Sequence, residues 1–140
     1  MAITKAETQI TWSAANSVSV SAGSSQTSDA ITLDATCFAG SITLKADNST
    51  TAAADDIIYF YLLGSSGDPD GTGADEYDTT GHAGPIAVLD TSVEDPALTT
   101  ATLPEWAVAA KSLKLFAEGS TAGSTNAITV SATIYEHRAA

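Results

Sequence analysis

A chain of 140 residues with seventeen Asp and Glu against five Lys and Arg has a formal charge of −12, a surplus that repels phosphate backbones and sets nucleic acid aside as a partner. The length suits one domain that buries roughly two-thirds of the surface its unfolded chain exposes, and with Cys37 as the lone cysteine no intrachain disulfide can form. No segment approaches the ~20 apolar residues of a membrane span, and residues 1–7 lack the apolar core of a signal peptide, so the expectation is a soluble, unprocessed product with no membrane partner.

Residues 1–7 show no turn-bounded apolar pattern and read as a terminal arm, ordered only if something holds it, with a single domain over 8–140. Ile10 and Trp12 alternate onto one face, 14–16 break the pattern, and Val18 and Val20 alternate again, which fits two short strands or one broken strand. After a serine-rich loop, Ile31 and Leu33 predict a strand over 30–34. Ile42, Leu44 and Ala46 then predict one over 38–46, with Ser41, Thr43 and Lys45 toward solvent.

Segment 55–63 is the longest apolar run, rich in β-branched and aromatic residues and too short for a buried helix; it predicts a central strand covered on both faces. Ile58, Phe60 and Leu62 share its core face. Ile57, Tyr59, Tyr61 and Leu63 share the other, where two phenol hydroxyls need a partner, so Tyr59 and Tyr61 are expected under a loop or at a subunit contact. A Gly and Asp rich loop leaves this strand.

Residues 86–90 predict a further strand, 92–102 a loop, and 104–110 one short helix opened by Pro104 and Glu105. Leu113, Leu115 and Ala117, then Ile128, Val130, Ala132 and Ile134, predict two strands paired as a hairpin across a long loop. The class is therefore all-β: an antiparallel β-sandwich of jelly-roll or Greek-key type with at most one short connector helix.

Three candidate sites follow from residue chemistry. Asp68, Asp70 and Asp75 crowd a Gly-containing turn of the kind hard cations use, yet the position matching the bidentate Glu of a calcium loop is Thr79, so a solvated acidic loop is the preferred reading over Ca²⁺. His82 and His137 have no ligand spacing around them, which argues against zinc and for exposed positions. Trp106 and Tyr77 raise a sugar-stacking platform, and Trp106 equally suits an interface; Trp12 suits the core. Nothing marks a pair of carboxylates with separated pKa values, so no enzyme and no cofactor are expected.

Segments 38–45 and 55–63, with the loop after the latter, and 113–119 leading into 127–136 resemble the small β-sandwich structural proteins of tailed-bacteriophage virions. That resemblance implies a capsid decoration, or cement, protein: made in the host cytoplasm, carried on the outer capsid surface, self-associated as a homotrimer and bridging subunits of the major capsid protein. On this reading Tyr59, Tyr61 and Trp106 are the interface residues. The alternative is a carbohydrate-binding or receptor-binding β-sandwich module of a head fibre or tail, dependent on Trp106 or Tyr77.

Overall fold

The structure is a computed structural model and describes residues 2–78 and 84–140. In chain order it contains β1 (Ile3–Gln9), β2 (Val18–Val20), β3 (Ser25–Thr27), β4 (Cys37–Asn48), β5 (Ile57–Ser65), β6 (Ala87–Asp90), β7 (Ala97–Thr102), α1 (Glu105–Ala109), β8 (Ser112–Gly119) and β9 (Ile128–Ala139). One antiparallel sheet runs β1-β9-β4-β7 with β2 also on β9; the other runs β3-β8-β5-β6. Their inner faces meet as an all-β sandwich, because alternation delivers Ile42, Leu44, Val130 and Ile134 from one sheet and Ile58, Phe60, Leu62 and Leu115 from the other, all essentially without solvent contact. The predicted central strand, β5, is interior to its sheet, between β8 and β6. Its core face is as predicted, whereas Ile57, Tyr59 and Tyr61 on the outer face are only half-buried.

Four readings change. First, the fold does not start at Thr8: residues 3–9 form β1, an edge strand in register with β9 from Ile3↔Ala139 to Gln9↔Thr133. Backbone pairing, not burial, holds it, since six of its seven residues are exposed. Hydropathy therefore had nothing to report there. β2 continues along the same edge of β9 from Val18↔Val130 to Val20↔Ile128, so β1 and β2 behave as one interrupted strand. At the interruption Ser13 and Ala14 take positive φ, and Asp29 accepts from both their N–H groups and from the Thr11 hydroxyl. Those bonds, the Thr11 hydroxyl first, hold the Asp29 carboxyl below its usual pKa.

Second, β8 and β9 do not form a hairpin. β8 pairs with β5 and β3, and β9 with β1, β2 and β4, so the connecting segment arches from one sheet to the other. Two alternating strands joined by eight residues can close side by side or span the ~10 Å between packed sheets, and the local pattern is the same in both cases. Third, residues 97–102 are a strand rather than a loop. Its inward residues are small (Ala97, Thr99, Ala101) and its outward ones include Thr100, whose hydroxyl meets that of Thr43 at 3.0 Å, so its apolar signal is weak although threonine suits an edge strand. Fourth, the segment 30–34 makes only an isolated bridge, Ile31↔Leu113, with Ile31 buried.

Two buried carboxylates, neither foreseen, tie loops to the sandwich. Asp56, just before β5, accepts hydrogen bonds from Ala53 N, Ser124 N and Oγ, and the amides of Asn48 and Asn126. Burial alone would raise its pKa; the donors outweigh it and hold the carboxyl far below the usual range. Glu136 continues the inward alternation of β9 and is 2% exposed. It accepts from Arg138 Nη2 at 3.0 Å and from Asp34 N at 2.9 Å, which anchors the approach to β4. Cys37 is half-buried, and its thiol pKa is raised by burial and by Glu136.

Candidate functional site

Three surfaces carry exposed chemistry. The first is the outer face of the four-stranded sheet. Residues directly opposite in an antiparallel pair share a face, so the register Tyr59↔Val88, Tyr59↔Glu118 and Tyr61↔Phe116 sets Tyr59 between Val88 and Glu118 and Tyr61 beside Phe116. The Tyr61 and Phe116 rings are tilted, 5.9 Å between centroids, and Val88 is 50% exposed. Asp90 opposite Ile57, Glu118 opposite Tyr59 and Lys114 opposite Leu63 supply the charged neighbours. Phe116 and Val88 were not singled out from sequence; only strand register places them beside the tyrosines.

Trp106 does not join this face. It lies on α1, whose Ala107 is fully buried, and a Cβ built on Gly64 would stand 3.1 Å from its Cζ3. Gly64 shares the parity of Phe60 and Leu62, so the indole sits on the other side of β5 from Tyr59 and Tyr61.

The second surface is a groove of about 700 Å³ at the end of β5, with Trp106, Tyr77, Asp68, Glu76 and Asp78 among its lining residues. The loop that walls it is tied down by Glu76 N to Gly67 O and Asp78 N to Gly64 O, both 3.0 Å. Tyr77 is fixed by its hydroxyl, 2.6 Å from Ser112 Oγ, and by Lys114 Nζ, 4.5 Å from the ring centre. The two aromatics considered for stacking thus line one groove, although 29 positions separate them in the chain.

Of the cation-loop residues, Asp68 and Asp70 come together with Glu76, with one oxygen of each within 4.8 Å of the others. Asp75 leaves the group, taking Lys111 Nζ at 2.7 Å. Asp68 spends both oxygens on its own loop, accepting from Thr72 N and Gly73 N, and Asp70 also accepts from Thr72 N. Bonds to Thr72, then to Asp68, lower the Asp70 pKa. Glu76 is the member that sequence reasoning missed, and its turn-mediated return toward Asp68 has no local sequence signal. His82 and Thr79 lie outside the described residues. His137 is half-buried on the outer face of the five-stranded sheet, its ring 5.8 Å from that of Tyr135 and 6.4 Å from that of Phe38, a second exposed aromatic cluster.

No family model matches the chain, and no curated protein matches it. Among solved structures it is similar in fold to FlhE, at 8% identity over the whole of both chains with a TM-score of 0.42. It is also similar to a chain of the acid-stable capsid of a Helicobacter pylori bacteriophage, at 16% identity over 95% of this chain and 93% of that one, TM-score 0.41. A third is a disulfide-linked pilus from Bacillus endospore appendages, at 12% identity over 98% and 89%, TM-score 0.37. Likeness at this level carries no argument about function. No helix among the described residues is long and apolar enough to cross a membrane.

Proposed function

We propose that this chain is a non-enzymatic structural module that assembles as a homotrimer and decorates the outer surface of a bacteriophage head, bridging subunits of the major capsid protein. The observation that carries the reading is the row Tyr59, Val88, Tyr61 and Phe116 on the outer face of the four-stranded sheet. Covering such a row with a second copy gains roughly 25 cal/mol for each Å² of apolar surface removed from water. Tyrosine rings serve this purpose well, because they bury a large apolar body and keep a hydroxyl for the rim.

Three copies joined in this way present three docking surfaces at once. Each later contact with the shell then forms at high effective concentration, so weak single contacts give firm attachment. The charge of −12 suits a basic acceptor surface. β1, as an edge strand, offers unpaired backbone groups on the side away from β9 and is the proposed docking edge. A clamp of this kind stabilises an expanded shell only through higher affinity for that state than for the compact one.

Light scattering of the purified chain tests the trimer, and mixing it with expanded, undecorated heads tests the docking. Trimers that bind such heads and raise their heat resistance are the expected result. A strict monomer that leaves the heads bare and equally heat-labile refutes the reading.

A further inference from the structure

We infer that the groove at the end of β5 is a binding site for a neutral oligosaccharide. The inference stands on the groove alone and does not depend on assembly into a shell. Its volume, about 700 Å³, lies in the range of pockets that take organic ligands, and its lining combines the aromatic residues Trp106 and Tyr77 with the polar Ser66, Asp68, Glu76 and Asp78. Gly64 is what brings the indole close. With no side chain there, the Trp106 ring lies against the strand, and any Cβ would come within 3.1 Å of it. The same Cβ position is 3.8 Å from Asp78 Oδ2, so an indole and a carboxylate flank one point on β5.

That pairing matches the two kinds of surface on a pyranose. One ring face is a patch of C–H groups that packs on an aromatic ring, and the hydroxyls around the edge donate to carboxylate oxygens. Glu76 and Ser66 add further acceptors along the groove, and Tyr77 forms a second aromatic element already held in place by Ser112 and Lys114. Asp68, Glu76 and Asp78 give the lining a negative charge, which disfavours uronic, sialic and sulfated sugars through like-charge repulsion. The site is a surface groove and not an enclosed cavity, which suits a segment of a sugar chain.

The full chain has two tryptophans, and Trp12 is 3% exposed in the core, so a Trp12→Phe chain reports on Trp106 alone by its emission. This chain is titrated with maltohexaose, cellohexaose and hexa-N-acetylchitohexaose, with hexagalacturonate and a penta-arginine peptide as comparison ligands, and calorimetry is run in parallel on Trp106→Phe and Asp78→Asn. The expected result is a saturable change with at least one neutral hexamer, none with hexagalacturonate, and affinity reduced by about tenfold or more in each variant with an unchanged circular dichroism spectrum. Absence of saturable binding by all three neutral hexamers overturns the inference. So does binding that both variants retain, and so does capture of the arginine peptide alone, which would make the groove a seat for a basic segment of a protein partner. Should Trp106→Phe fail to fold, Asp78→Asn decides by itself.

Discussion

Replacing Asp56 tests whether one buried carboxylate joins its own loop and the end of β4 to the segment between β8 and β9. Its side chain receives five donors, from Ala53 N, Asn48 Nδ2, Ser124 N, Ser124 Oγ and Asn126 Nδ2. A hydrogen bond to a charged group contributes roughly 1.5–3 kcal/mol when removed alone, and the values do not add within one network. Ser124 and Asn126 are half-buried, so water can reach part of the site and discounts the loss. Asp56→Ala is accordingly expected to cost about 3 kcal/mol, and Asp56→Asn a similar amount, because its amide adds a donor where every neighbour already donates.

The pH dependence gives a sharper test. The folded-state pKa of Asp56 is depressed, so its contribution is fully present above the unfolded value of about 3.9 and is lost as pH falls from there toward the folded value. Within that window the loss runs at about 1.4 kcal/mol per pH unit. Urea melts of the parent and Asp56→Asn at pH 7, 4 and 3 isolate this group, since the other carboxylates titrate in both proteins. The gap between them should narrow from pH 4 to pH 3 by about 1 kcal/mol. A gap that stays the same at pH 3 as at pH 7, or a variant as stable as the parent, refutes the reasoning.

Phe60 is fully buried, so Phe60→Ala should cost about 3–5 kcal/mol in a denaturant melt, from lost transfer energy and the cavity left behind. Tyr61→Ala, on the half-buried outer face, should change stability far less while reducing the mass seen by light scattering. Trp12 Nε1 is buried without a hydrogen-bond partner among the described residues, so Trp12→Phe removes an unsatisfied donor along with some ring area, and a change under about 1.5 kcal/mol is expected. Millimolar Ca²⁺ or excess chelator should leave the melting temperature unmoved, because Asp68 and Asp70 are engaged with their own loop and Asp75 with Lys111; a rise with free metal would show a specific site through linkage.

The class of fold was legible in the sequence because each core strand writes a period of two. Ile42, Leu44 and Ala46, then Ile58, Phe60 and Leu62, then Ile128 to Ile134 by alternate residues all proved to face the core. The split of Tyr59 and Tyr61 from Phe60 came from the same alternation. Sequence failed where a strand is held by its backbone ladder or lines the core with small side chains, as in β1 and β7, since neither produces an apolar rhythm. Partner choice was also beyond it: β8 and β9 read as a hairpin, yet the arch between sheets lets both apolar faces look into one core. Only tertiary structure brings Phe116 and Val88 beside the tyrosines, Glu76 beside Asp68 and Asp70, and Trp106 to Asp78 across Gly64, because each juxtaposition depends on register or chain reversal between residues that local periodicity does not relate.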